Sequence, residues 1–322
     1  MLQRAHELPQ QKGQMFVTDG GVETHLIFNL DQQVPDMSVY LLNGTDAGRE
    51  VMRDYYRAYI PICRKAGQGF LFDTNTWRAN PDWAFKAGLD MQGAARGQHR
   101  RRLVLQGHAA RVRGRGRRSR SPPASSARAA TPGSTIAGMT VEESISYHGH
   151  QIEAFADSEA DYVSAYTLTN VPEAVGIARL AKRTGLPVVL SFTLETDGNL
   201  PGGKSLEVAI NEVDAATGDY PAYYMINCVH PIHFAETVRH AGRWVNRIGG
   251  LRVNASKMSH AELDNSPTLD IGDITDLAQR YARLMPLLPN IRVIGGCCGT
   301  DHRHIGAICD TCLPGSHHHL HP

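Results

Sequence analysis

Residues 162–193 read Tyr162-Val163-Ser164-Ala165-Tyr166-Thr167-Leu168-Thr169-Asn170, then Val171-Pro172-Glu173-Ala174-Val175-Gly176-Ile177-Ala178-Arg179-Leu180-Ala181-Lys182-Arg183-Thr184, then Gly185-Leu186-Pro187-Val188-Val189-Leu190-Ser191-Phe192-Thr193. This is one complete strand–helix–strand unit. The spacing predicts strands over 162–167 and 187–193, rich in β-branched and aromatic residues and flanked by polar ones. Between them, Asn170 with Glu173 three residues on is an N-cap signal, and Gly185 followed by Pro187 stops the helix. A buried parallel strand on each side of an amphipathic helix is the repeating element of an α/β fold.

The same unit recurs outward in both directions. Further strands are expected at 15–19, 69–74, 223–228, 248–254 and 291–296, and helices at about 45–66, 140–156, 205–216, 231–241, 274–288 and 301–308. Seven strands are visible, with room for an eighth in the stretch before residue 140. A (β/α)8 TIM barrel, its third-strand region disrupted, is the natural closure, and its chemistry belongs on the loops after the strand C-termini. An open doubly wound sheet is the rival. It wants a G-x-G-x-x-G turn after the first strand, and Asp19-Gly20-Gly21-Val22-Glu23 lacks that spacing.

The chain has 322 residues, 42% hydrophobic and 20% charged, which excludes wholesale disorder. No apolar run approaches the roughly 18–20 residues of a membrane span. The opening Met1–Gln14 has no apolar core of the secretory kind, so a cytoplasmic location is expected. Six cysteines are too few for a disulfide scaffold at this length.

The net charge of +1 conceals two unlike parts. Between Met91 and Ser134 there are eleven arginines and no Lys, Asp or Glu. With those set aside, 22 of the 33 basic residues face all 32 acidic ones, a net charge of −10. Read literally, the arginine stretch is a basic arm for RNA or another polyanion, but it lacks the interleaved aromatics that stack bases, so nucleic acid is not the expected partner.

Polar clusters end the strands where a barrel places its active site. They are Thr18-Asp19-Gly20-Gly21, Asp73-Thr74-Asn75-Thr76-Trp77, Ile226-Asn227-Cys228, and Gly295-Gly296-Cys297-Cys298-Gly299-Thr300-Asp301-His302. Cys297 and Cys298 leave a strand inside a glycine-rich turn, and Cys228 ends a non-adjacent strand. Three thiolates and one exchangeable position suit a tetrahedral catalytic zinc ion. The competing reading is that buried cysteines act as small hydrophobes.

These motifs carry a resemblance. The sequence resembles the homocysteine S-methyltransferase family, zinc-dependent (β/α)8 barrels, through Asp19-Gly20-Gly21, Ile226-Asn227-Cys228 and the run from Gly295 to His302, over roughly 15–91 and 140–308. The resemblance implies a single barrel domain over 1–310, interrupted at 93–135, with a disordered tail at 311–322. It implies that Cys228, Cys297 and Cys298 hold zinc and that the fourth position takes the thiolate of homocysteine. A small onium donor, S-methylmethionine or S-adenosylmethionine, would then give methionine. Asp19 with Gly20 and Gly21 is expected at the amino-acid end of the substrate, Thr76 and Trp77 in the pocket wall, and Asn227 as a support for Cys228. One position departs from the family. Where it carries a Glu after the fourth strand, this chain has Tyr166, uncharged near pH 7, which leaves open a thiol other than homocysteine.

In place of the family's acidic helix and third strand stands the arginine stretch. A GC-rich gene read out of frame yields Arg, Ala, Gly, Pro and Ser, so two compensating frameshifts are the preferred account, with an inactive or misfolded relative as the alternative. Lesser signals are Cys309-Asp310-Thr311-Cys312, which lacks a redox context, His302 and His304 beside the cysteine turn, and Cys63 on an amphipathic helix.

Overall fold

The computed structural model describes residues 7–80, 83, 86, 125–127 and 138–313. Nine strands are present among them: β1 (Phe16–Val17), β2 (Gly69–Phe70), β3 (Phe72–Thr74), β4 (Ser125–Ala127), β5 (Val163–Leu168), β6 (Val188–Phe192), β7 (Tyr223–Asn227), β8 (Ile248–Val253) and β9 (Val293–Gly296). Seven form one parallel sheet in the order β2-β1-β9-β8-β7-β6-β5, and β3 pairs in parallel with β4. The order follows the chain around a ring, as in a (β/α)8 barrel, and never reverses as a doubly wound sheet must.

Only Leu71 separates β2 from β3, so β4 stands in the third barrel position. Hydrogen bonding runs from β4 round to β5 by the long way. Among the described strands β5 is bonded to β6 alone, so no ladder among the described residues joins β4 to β5, although the two lie side by side. Most of the 93–135 stretch lies outside the described residues. The strand Ser125–Ala127 is the exception, and it places a short third strand inside the stretch expected to lack one.

Eight helices are used below: α1 (Asp46–Arg57), α2 (Ile60–Ala66), α3 (Val141–Ala156), α4 (Val171–Thr184), α5 (Leu206–Thr217), α6 (Pro231–Arg239), α7 (Ile274–Leu284) and α8 (His302–Cys312). The Asn170 side chain caps α4 by accepting from the Glu173 N–H at 2.9 Å, and Gly185 ends it at φ +72°. The helix expected over 45–66 is two, because Pro61 opens α2 and offers no N–H to the preceding turn. At the other end, α8 continues through Thr311 and Cys312, since Ile305, Ile308 and Cys309 give it a buried face. Residues 314–322 of the expected tail lie outside the described residues.

Strands buried on both faces serve two cores. Phe16, Leu71, Tyr162, Tyr166, Val189, Tyr223, Met225 and Val293 fill the barrel interior, while alternate residues such as Leu190 and Phe192 join a second core. That second core includes the buried faces of the helices, among them Ala174, Ile177 and Ile305. Towards the C-terminal ends the interior turns polar, with Asp73, Ser191, Asn227 and Arg252 all buried. No helix among the described residues is long and apolar enough to cross a membrane.

Candidate metal centre

Three thiols converge at the C-terminal ends of β7 and β9. The sulfur atoms of Cys228, Cys297 and Cys298 all lie within 4.8 Å of one another, and Cys228 Sγ is 3.6 Å from Cys298 Sγ. A tetrahedral zinc ion with bonds of about 2.3 Å would set its sulfur ligands about 3.8 Å apart. The donors therefore fit such an ion in type and spacing. Hydrogen bonding with Cys228 and Cys297, then burial, pushes the Cys298 thiol well above its ordinary range. Packing three thiols this closely is unfavourable for their ionisation unless a cation shares the site.

The backbone around the sulfurs is held tightly. Cys228 has φ +59°, a left-handed conformation that is uncommon for a side chain of its kind. Its N–H donates to the Arg252 carbonyl at 3.0 Å, and its own carbonyl accepts from Asn254 Nδ2 at 3.0 Å. Cys297 donates to the Val253 carbonyl at 2.8 Å and accepts from Thr300 Oγ1 at 2.7 Å. Asn227, next to Cys228, is fully engaged in hydrogen bonds. Its Oδ1 accepts from Ser191 Oγ at 2.6 Å and from the Thr167 N–H at 2.9 Å, and its Nδ2 donates to Thr167 Oγ1 at 2.9 Å. One amide thus ties the ends of β5, β6 and β7 beside the first cysteine, and holds Thr167 at φ +60°.

Gly20 and Gly21 pack against the cysteine turn. A Cβ on Gly20 would lie 2.5 Å from the Thr300 carbonyl oxygen, and one on Gly21 2.6 Å from that of Cys297. Both amides are engaged, Gly20 donating to Tyr59 Oη at 3.2 Å and Gly21 to the Thr300 carbonyl at 3.0 Å. Asp19 is likewise engaged. It is 1% exposed, its Oδ1 accepts from Arg252 at 2.6 Å and its Oδ2 from the Tyr55 hydroxyl at 3.0 Å.

Arg252 is the residue that sequence reasoning missed. It is fully buried, ion-paired to both Asp19 and Asp73, and its Nε donates to the Gly296 carbonyl at 3.0 Å, just before Cys297. Burial works against its charge, but the two carboxylates hold its pKa well above the ordinary value. Tyr166 joins this cluster, its hydroxyl donating to Asp73 Oδ1 at 3.4 Å and its ring 5.2 Å from the guanidinium. A single charged residue inside an otherwise apolar strand, Gly250-Leu251-Arg252-Val253, is the signal that marks it.

The other expected residues sit as follows. Thr76 is buried, its hydroxyl sharing a hydrogen bond with Thr74 at 2.8 Å. One face of Trp77 is covered by the Arg78 guanidinium at 4.2 Å, and the same group lies 3.6 Å from the Trp83 ring. His304 is not at the thiols: its ring nitrogens contact Asp301 Oδ1 at 3.1 Å and the Ile271 carbonyl at 2.9 Å, bracing the start of α8. Burial pushes the thiols of Cys63, Cys309 and Cys312 up to about 12, which makes them poor nucleophiles.

A sequence model of the family described as homocysteine S-methyltransferase matches residues 16–312. The chain belongs to the homocysteine S-methyltransferase family. Within that family it is 28% identical over 181 residues to betaine–homocysteine S-methyltransferase 1 of Rattus norvegicus, covering 51% of this chain and 42% of the relative. The enzyme of the same name from Danio rerio is 26% identical over 177 residues, again covering 42% of the relative. The chain thus spans less than half the length of these curated relatives. The metallated homocysteine methyltransferase MmuM of Escherichia coli shares the fold, with a TM-score of 0.61 at 19% identity, covering 92% of this chain and 96% of that one.

Proposed function

We propose that this family member is a zinc-dependent S-methyltransferase that moves a methyl group from a small onium donor to the sulfur of homocysteine, giving methionine. The observation that carries this reading is the convergence of Cys228, Cys297 and Cys298 at the mouth of the ring, within 4.8 Å. Those three residues would hold the zinc, which when bound supplies the Lewis acidity that keeps an acceptor thiol deprotonated near neutral pH.

The protein's own groups keep that site in shape. Asn227 fixes the turn that presents Cys228, and Arg252 joins the strand leading to Cys297 to the turn after β1. Transfer forms a bond from the acceptor sulfur to the methyl carbon and breaks the bond from that carbon to the onium centre, which leaves neutral. S-methylmethionine is the first expected donor and S-adenosylmethionine the second.

Elemental analysis of the purified protein should find one zinc per chain, and Cys298→Ala should lose most of it. Incubation with homocysteine and each donor, betaine included, followed by a methionine assay, tests the activity. Full metal retention after replacing all three cysteines would sink the site. Activity only with methylcobalamin or methyltetrahydrofolate would overturn the donor class. A second reading, transfer to a different thiol, is favoured by Tyr166 standing where the family has an acid and by the pairing of Asp19 with Arg252. A panel of acceptor thiols separates the two.

A further inference from the structure

The three cysteines sit on the turns that follow β7 and β9, and those strands are not neighbours. Between them lies β8, which carries no cysteine of its own. Four consecutive residues at and just beyond its C-terminal end nevertheless reach both turns. The Arg252 carbonyl accepts from the Cys228 N–H at 3.0 Å, and the Val253 carbonyl accepts from the Cys297 N–H at 2.8 Å. The Ala255 N–H donates to the Cys298 carbonyl, and the Asn254 N–H to the Val229 carbonyl, each at 3.1 Å. The end of β8 is thus a template against which two separate turns are set in register.

Asn254 adds a side-chain contact to this set. It is 2% exposed, and its Nδ2 donates to the Cys228 carbonyl at 3.0 Å. Its Oδ1 is also buried and has no hydrogen-bond partner among the described residues. An amide buried with its oxygen unmatched costs stability relative to an apolar side chain of the same shape. Stability therefore does not account for Asn254. The residue it holds does. Cys228 has φ +59°, a left-handed backbone that a non-glycine residue keeps only where its surroundings impose it. With its N–H tied to Arg252 and its carbonyl to Asn254, Cys228 is pinned to β8 from both sides, and its thiol lies 3.6 Å from that of Cys298.

We propose that Asn254 is a positioning residue for the metal centre, its amide holding Cys228 in the left-handed conformation that sets this thiol beside Cys297 and Cys298. The proposal rests on the zinc reading above.

The test is Asn254→Leu, which keeps the bulk and removes both the N–H donor and the unmatched oxygen. The urea midpoint of the metal-free variant should equal or exceed that of wild type. Its dissociation constant for zinc, measured by chelator competition, should rise about tenfold or more, as is usual on losing a group that orients a ligand. The visible absorption bands of the cobalt(II)-substituted variant should shift, because the geometry at Cys228 is no longer imposed. Asn254→Ala, which adds no bulk, should show the same loss of affinity and the same spectral shift, and carries the test where the leucine variant does not fold. Wild-type zinc affinity and an unshifted cobalt spectrum in these variants would make Asn254 merely structural and overturn the proposal, while the zinc reading stands. A wild-type protein that binds neither zinc nor cobalt(II) at the cysteines would overturn the zinc reading, and the proposal with it.

Discussion

Arg252 lies between two carboxylates, all three buried away from bulk solvent, and that geometry sets what a substitution there would do. Replacing one partner of a buried ion pair strands the others, at a cost of about 3–5 kcal/mol. Arg252→Met should therefore lower unfolding free energy by about that amount, a large share of the roughly 5–15 kcal/mol of a typical domain. The triple variant Arg252→Met/Asp19→Asn/Asp73→Asn should recover much of it, because no uncompensated charge remains. Urea unfolding of the three proteins decides this, and equal midpoints for wild type and Arg252→Met would contradict it. At this scale the sequence was only half legible. The cysteines announced themselves because glycine-rich turns are easily recognised, and Asn227 because it adjoins one. Arg252 and the closing of Asp19 depend on residues far apart in the chain, Asp19 and Asp73 against position 252, and no local pattern encodes that pairing.

Among the elements, the turn after β1 and the turn after β9 form one seam. Gly20→Ala or Gly21→Ala would drive a methyl group into the Thr300 or Cys297 carbonyl, and such overpacking typically costs about 1–3 kcal/mol. If the cysteines hold zinc as proposed, both should weaken its retention as well as stability, read by competition with a chromophoric chelator. Undiminished zinc affinity in both would show that the seam does not shape the cysteine turn. A second element-level prediction concerns α6, capped by His230. Its pKa lies near 4 in the fold against an ordinary 6.5, so the unfolded chain binds the extra proton first as pH falls. Stability from this group is whole above about 6.5 and is lost between about 6.5 and 4. His230→Asn, which retains a capping side chain without titrating, should flatten the fall in unfolding midpoint from pH 7 to pH 4.5. An unchanged slope would count against it. Element types were legible because hydrophobic period and caps agree locally, as Asn170 and Gly185 show. The split at Pro61 and the added turn of α8 depend on packing, which period alone does not reveal.

For the whole molecule, the missing ladder between β4 and β5 among the described residues is the feature with the largest reach. Among the described residues β4 has three residues and pairs with β3 alone, and β5 presents an edge with no hydrogen-bonded strand. An unpaired edge forgoes a ladder and invites association. A chain with the neighbouring reading frame restored over 93–135 is expected to supply an acidic helix and a short apolar third strand. Its thermal midpoint should exceed that of the given chain by several degrees, at about 2–4 °C per kcal/mol for a protein of this size class. Equal midpoints would show that the gap costs nothing. The ring itself was legible from repeated strand–helix units, and the short β4 was not, since Ser125-Ser126-Ala127 carries no strand signature.

β1 and β9 are neighbours in the sheet, although they are the first and the last of the described strands in chain order. The turn bearing Cys297 and Cys298 is moulded against Gly20 and Gly21, so the three thiols come together only after β9 and the turn behind it have been made. Until then the nascent chain holds Cys228 alone of the three. A metal held by all three thiols, as proposed above, would consequently be captured only after β9 has emerged, and products that stop short of β9 would lack two of its three ligands. At translation speeds of about 5–20 residues per second, capture of the proposed zinc should trail the appearance of folded β5–β7 by several seconds in a pulse-labelled synthesis.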